Sequence, residues 1–328
     1  MQAIEIKRVL ISVSDKTGIE KLAKVLYDKG CQIISTGGTK KTLEDAGLTV
    51  TDIAKITGNP EAFNGRMKTI SFQIESALLF DREKDAVEAS ELGIEPIDMV
   101  ICNLYPFEKV KQNGTQLNEL IENIDIGGPT MIRAAAKNFK YVTVVTNADD
   151  YLDISEEFKN NNGRISYETR KKLMNKAFNH TADYDSIIAT SMDEELGKHS
   201  WRPVFINGKK LRYGENSHQR GYLYKKQGVS NSLYDLRKLH GKELSFNNMV
   251  DIQAAIDSVR NLSKHACAVV KHNNPCGLSQ ASEQLEALKS AWYGDPISAF
   301  GSIIAFNSQL ELNTMKFFHL NGKNSEKK

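Results

Sequence analysis

Two hydroxyl-rich segments near the start of the chain have the makings of an anion seat. Ser12, Ser14 and Lys16 lie in SVSDK, and Ser35, Thr36, Gly37, Gly38 and Thr39 make up STGGT. Hydroxyls and glycine amides at the entrance to a helix suit a phosphate, since first-turn N–H groups lack helical partners and carry the positive end of the dipole; a lysine adds a point charge. Taken singly, each segment is equally a tight turn or a helix cap, and it is their occurrence in adjacent βα units that favours the anion seat. Arg66 and Lys68 in NGRMKT set two cations close together after a glycine, either as a solvated pair or in reach of an anionic or carboxamide-bearing ligand. Asn103 and Tyr105 follow an apolar run in NLYPFE, where Pro106 turns the chain away. The tyrosine there either packs or donates a hydrogen bond. Asp125 in NIDIGGPT has Gly127 and Gly128 behind it and Lys137 about three turns further on. It reads as half of an acid/base pair or as an ordinary salt bridge.

Further along, Arg212 and Tyr213 in LRYGENSHQ could clamp a phosphate and stack on a flat ring. In VVKHNNPCG, Lys271 and His272 end an apolar run, and Asn273, Asn274 and Pro275 are expected to turn the chain. Histidine is the side chain best suited to exchange a proton near neutral pH. Cys276 shares one loop with His272, which disfavours a cysteine nucleophile, and PCG lacks the second cysteine of a zinc-deaminase PCxxC. The expected metal content is therefore none.

The elements that must hold these residues alternate. RVLISV reads as a strand, and Ile19, Leu22, Ala23 and Leu26 recur at helical spacing behind the helix-start residues Ser14 and Asp15, with Gly30 as the stop. CQIIS is a second strand, STGGT a loop and 40–46 a helix; 99–104 and 141–146 read as buried strands, with helices at 117–121 and 130–137 between them. Strands alternating with helices at this spacing predict a mostly parallel sheet with helices on both faces, and in such a sheet ligands bind at the carboxyl edge. A long helix is expected over 167–191, a linker over 197–200, and a second unit opening at Trp201 with strands at 202–206, 266–270 and 302–305 and a helix at 251–262. The polar end, NGKNSEKK, reads as disordered.

Bulk properties set the outer limits. A chain of 328 residues with 40% hydrophobic and 26% charged residues suits two soluble domains. A net charge of +2 argues against a nucleic-acid partner. The four cysteines, Cys31, Cys102, Cys267 and Cys276, form no CxxC pair, and Cys31 and Cys102 read as buried reduced thiols. There is no apolar run of membrane-spanning length and no signal-like start, so the expected compartment is the cytoplasm, with no membrane partner.

SVSDKTG, STGGT, NGRMKT, CNLYPFE, NIDIGGPTMIRAAAKN, KAFNHTADYD, RYGENSHQ, KHNNPCG and DPISAFGS stand in the order found in the bifunctional AICAR transformylase/IMP cyclohydrolase family, which the chain resembles from Ser12 to about Asn307. The resemblance implies an α/β methylglyoxal-synthase-like cyclohydrolase domain over 1–148 and a helical connection over 149–200. The first half of a cytidine-deaminase-like transformylase domain would follow over 201–310, with a disordered tail over 311–328. It implies that the first domain joins the carboxamide nitrogen of formyl-AICAR to its formyl carbon, giving IMP. The second would transfer formyl from 10-formyltetrahydrofolate, a co-substrate and not a permanent cofactor, to AICAR. By resemblance, Ser12, Ser14, Lys16 and the five residues of STGGT hold the ribose phosphate; Gly127 and Gly128, ahead of a helix, repeat the anion cradle by their residue types alone. Lys68, Tyr105, Asp125 and Lys137 would orient the carboxamide, polarise the formyl oxygen and move protons, with Arg66 and Asn103 holding the base. His272 would be the general base of formyl transfer and Lys271 its charge stabiliser, with Arg212, Tyr213 and Asn248 binding AICAR.

Three departures stand out. Where the family usually reads LHPxxHGG, residues 70–77 read ISFQIESA, a loop expected beside the cyclohydrolase site, with Glu75 unfavourable to an anion if it points inward. RYGENPHQ has become RYGENSHQ at Ser217. Family members also continue well past this chain's last residue, through a second deaminase-like half, much of the folate pocket and much of the homodimer interface. On this reading cyclohydrolase is the expected activity. The alternatives are a non-catalytic purine-nucleotide-binding protein and a small phosphoester lyase.

Overall fold

Short strands that are apolar on both sides belong inside a sheet covered on both faces. In the computed structural model, which describes residues 2–325 apart from Asn64 and Thr115 and side chains as far as Phe318, four such segments and a half-buried edge strand form one parallel sheet. The strands are β1 (Arg8–Val13), β2 (Gln32–Ser35), β3 (Val50–Asp52), β4 (Met99–Asn103) and β5 (Thr143–Val145). Their order is β3-β2-β1-β4-β5, every pair parallel. The chain steps outward from β1 to β3 and then restarts on the other side at β4. The order therefore reverses between β1 and β4, and a crevice opens beyond their carboxyl ends. Ser12 pairs with Cys102 there and Val13 with Asn103.

Strand alternation sorts the core into two layers. Leu10, Ile34, Val100 and Val144 face one side with α3 (Phe72–Leu79), α4 (Gly127–Lys137) and α5 (Tyr167–Glu195). Val9, Ile11, Ile33, Met99, Ile101 and Val145 face the other, with α1 (Ile19–Asp28) and the helix Tyr151–Asn160. The expected α/β sheet with helices on both faces is the one observed.

Boundaries differ from expectation where glycine misleads. The helix α2 (Gly37–Asp45) begins three residues earlier than expected, and α4 begins at Gly127, not at 130. Glycine is a poor helix former, yet first-turn residues have few intrahelical bonds to lose. Conversely, α1 starts only at Ile19, behind a left-handed Gly18, so neither Ser14 nor Asp15 caps it. The segment 70–77 is not a loop: Ser71 Oγ accepts from Ile74 N at 3.1 Å, and α3 buries Ile74, Ala77 and Leu78. The region 149–200 is likewise no mere connection. Ala177 and Tyr184 of α5 lie in the sheet's core, and buried Arg170 donates to the carbonyls of Phe139, Lys140 and Ile165. The compact unit runs to Arg202.

The second unit, from Pro203, carries the antiparallel sheet β7-β6-β8, made of β6 (His265–Lys271), β7 (Asn274–Ala281) and β8 (Ile303–Phe306). The helix α6 (Phe246–Val259) packs on one face and α7 (Gln284–Gly294) on the other. The strand expected at 202–206 lies at Phe205–Lys210, paired with Tyr222–Lys226. The chain end expected to be disordered folds as α8 (Leu312–Ser325), with Phe317 edge-on to Trp292 at 5.8 Å; residues 326–328 lie outside those described.

Candidate active site

The crevice between β1 and β4 gathers most of the first unit's candidate residues. Gly37 and Gly38 form the opening turn of α2, behind Thr36 as its extended N-cap. A Cβ on Gly37 would stand 3.8 Å from Lys68 Nζ, and one on Gly38 would stand 3.8 Å from Lys16 Nζ. Two ammonium groups from distant segments thus flank one helix start, the arrangement an anion needs. Lys16 is exposed and contacts its neighbour's carbonyl, Ser14 O, at 3.3 Å. Lys68 pairs with Glu61 at 3.1 Å, and Arg66 pairs with Glu122.

Several residues read as ligand contacts are occupied with the fold. Ser35 is buried and donates to Ile11 O at 2.7 Å. Thr39 Oγ1 accepts from Val13 N and donates to Val13 O. Ser35, at the end of β2, is thereby bound to β1, and Thr39 binds α2 to β1, because the inward side of this turn faces the sheet. Asn103 Oδ1 accepts from Ser14 N at 2.6 Å and Asp15 N at 3.0 Å, and its Nδ2 donates to Asp15 O. Asn103 therefore shapes the Ser14–Lys16 loop instead of presenting its amide to a base. Ser12 and Ser14 remain half-buried along the crevice.

Asp125 closes the other side. Its Oδ1 accepts from Gly128 N at 2.8 Å, and the Tyr105 amide also donates to the carboxyl. Burial pushes this carboxyl above its ordinary range, outweighing those two bonds, so it takes up a proton more readily than a surface aspartate. The Tyr105 side chain is 47% exposed at the mouth, free to donate outward. The glycines are needed for contact: a Cβ on Gly127 would fall 2.6 Å from Thr69 Oγ1, and one on Gly128 would fall 2.6 Å from Asp125 Oδ2. Thr69, next to Lys68, is thereby seated against the turn that follows Asp125. Lys137 is not part of this group. It is exposed on the last turn of α4, about 15 Å along the axis from Gly127.

In the second unit, Arg212 donates to the Tyr213 phenol at 3.0 Å and lies over its ring at 4.8 Å. Hydrogen bonds from Ser245 and then Arg212 hold that phenol below its ordinary value. Asn248 is a capping residue: it accepts from Ser245 N at 3.0 Å in the capping box of α6. The expected turn at 273–275 is instead a two-residue hairpin, with His272 and Asn273 both at positive φ, as the primed hairpin turns require. Asn274 pairs with Lys271. His272 is exposed at the tip, and Lys271 Nζ donates to Phe300 O at 2.9 Å. The tip is tied to α6, because Asn273 N donates to Asp251 Oδ1 at 2.7 Å. Asn248 and Asp251 are three apart on one helix face, so both clusters adjoin the first turns of α6.

Glu61, Glu122, Thr69, Tyr184 and Asp251 also contact these groups. Their carboxylate and hydroxyl types carry no signal in sequence; only NGRMKT, KAFNHTADYD and their surroundings drew attention to these stretches.

Residues 135–321 match the AICARFT/IMPCHase bienzyme family, and residues 18–130 match the MGS-like domain. The bifunctional purine biosynthesis protein PurH of Persephonella marina is 44% identical over 321 residues, covering 94% of this chain. PurH of Bacillus cereus strain Q1 is 45% identical over 320 residues, covering 95%. The chain spans 62% of the length of each. The crystal structure of ForH superposes with a TM-score of 0.51 at 35% identity, covering 56% of this chain and 95% of that one.

Proposed function

Because the chain belongs to the AICARFT/IMPCHase bienzyme family, we propose that its first unit closes the purine ring, converting formyl-AICAR to IMP with loss of water. The observation that carries this is the placement of Lys16 and Lys68 beside the opening turn of α2, in the same crevice as half-buried Asp125. The ribose phosphate sits on the α2 turn and Lys16. Lys68 and the Tyr105 hydroxyl address the carboxamide and formyl oxygens. The carboxamide nitrogen then attacks the formyl carbon, and Asp125, whose burial favours the protonated form, moves a proton as water leaves. Both reacting groups belong to one molecule, so holding them in a reactive conformer supplies most of the acceleration.

The second unit is assigned to formyl transfer from 10-formyltetrahydrofolate to AICAR, with His272 as base, Lys271 as charge stabiliser, and Arg212 and Tyr213 on the nucleotide. Its substrates are small purine ribonucleotide precursors and its compartment is the cytoplasm, and the family it belongs to pairs as a homodimer. Among the described residues, no helix is long and apolar enough to cross a membrane.

The test is incubation of the purified chain with formyl-AICAR, following IMP, with Lys68→Ala as control. IMP from the parent and not from the control supports ring closure. Tight nucleotide binding with no IMP from either supports a binding protein without turnover.

A further inference from the structure

One buried side chain touches both loops that carry Tyr105 and Asp125. Tyr184, 7% exposed in α5, accepts a hydrogen bond from the Asp125 main-chain N–H at 2.8 Å, across 59 residues of sequence. Its own hydroxyl donates to Asn123 O at 3.4 Å. Its ring meets Phe107 edge-on, with centroids 6.4 Å apart at 75°. Phe107 is fully buried and follows Tyr105 and Pro106, so its anchorage fixes where that loop leaves the sheet.

The stretch from Asn123 to Ile126 lies between the helix Leu117–Glu122 and α4; Asn123 N and Ile124 N still donate back into that helix, whereas Asp125 N donates to the Tyr184 phenol. A main-chain donor left unpaired at a half-buried position is costly, and the phenol oxygen satisfies it. We infer that Tyr184 is a positioning residue for ring closure, holding the Asp125 loop and, through Phe107, the Tyr105 loop at the sheet edge. This rests on the ring-closing reading of the first unit.

The groups facing the Asp125 carboxyl are uncharged. From β4 comes the Cys102 thiol, driven upward by burial; from α5 the Tyr184 phenol, pushed up to about 12 by burial; and from Tyr105 and Gly128 come main-chain N–H groups. The carboxyl therefore responds to how well water is excluded and to those amide bonds.

Tyr184→Phe keeps the ring against Phe107 and removes the hydroxyl alone. The expected result is a fall in kcat for IMP formation of roughly five- to tenfold, the worth of one net hydrogen bond, with KM held within about twofold. The alkaline limb of the kcat profile, which a carboxyl acting in its protonated form sets, moves to lower pH, because a loosened loop admits water and relieves the burial that raises the carboxyl. Carbon-13 NMR of aspartate-labelled protein reads the Asp125 titration directly, without turnover, and should show the same downward movement. A urea unfolding curve checks that the variant is folded. An unmoved titration and pH profile, with kcat either unchanged or reduced only in proportion to folded protein, overturns the inference. A parent that makes no IMP overturns the ring-closing reading, and the NMR titration then still decides by itself whether Tyr184 governs Asp125.

Discussion

Gly38 and Gly128 each occupy the second position of a helix, and the same substitution is expected to have opposite signs at the two. A Cβ on Gly38 would meet the far end of Lys16 at 3.7 and 3.8 Å, ordinary contact with a flexible chain. A Cβ on Gly128 would fall 2.6 Å from Asp125 Oδ2 and 2.7 Å from Leu104 Cδ2. The first is the carboxyl already bonded to that residue's own amide, and the second belongs to a buried leucine, so neither yields freely. Helix propensity alone favours alanine by up to about 1 kcal/mol at either position. Overpacking costs about 1–3 kcal/mol where atoms must shift. Gly38→Ala is thus expected to leave stability level or up to about 1 kcal/mol higher, and Gly128→Ala to lower it by up to about 2 kcal/mol net. Because the relief at Gly128 must come partly from Asp125, kcat for IMP formation should also fall by about tenfold or more, equivalent to some 1.4 kcal/mol of lost stabilisation in the transition state. Urea unfolding with a common slope measures the stabilities, and initial rates at saturating formyl-AICAR measure the chemistry. A Gly128→Ala protein as stable and as fast as Gly38→Ala would refute the contact argument.

Three further outcomes follow from the same geometry. Lys137→Ala, at the far end of α4, should leave kcat within about twofold of the parent, the usual reach of a surface substitution, whereas Lys68→Ala abolishes IMP formation in the same assay. Arg82→Met strands Asp98, which is 4% exposed and also accepts from Lys7 N and Arg8 N; chemical denaturation should show a loss of about 2–3 kcal/mol, below the 3–5 of a fully buried pair because Arg82 keeps part of its surface in water. Glu75 has its Oε1 buried without a hydrogen-bond partner, and burial raises its carboxyl above the ordinary value. With a raised folded value, the protonated form suits the fold, so its contribution is present below the unfolded value and is lost as pH rises through the folded one. Glu75→Gln should therefore raise the thermal midpoint at pH 7 and not below pH ~4, and an equal gain at both would count against the assignment.

The sequence by itself determined most of the first unit's sheet strands and helices, because apolar spacing of two or of three to four residues must be met by a sheet or a helix with a covered face. It also determined which residues leave the strands at the carboxyl edge, and hence Lys16, STGGT and Tyr105 as site candidates, with Asp125 marked instead by the two glycines that follow it. It could not say which of those side chains had a polar atom left over. Ser35 and Thr39 point into β1, Asn103 is consumed by the Ser14–Lys16 loop and Asn248 by a cap, since every buried amide must find a partner and the nearest polar side chain supplies it. Nor could spacing show that Lys137 stands a helix length away from Asp125. Above all, the order β3-β2-β1-β4-β5 was decided only in three dimensions. Long-range pairing of β1 with β4 brings Ser14 to Asn103, and α5 packed on that sheet brings Tyr184 to Asp125; contacts between residues so far apart in sequence leave no local pattern to read.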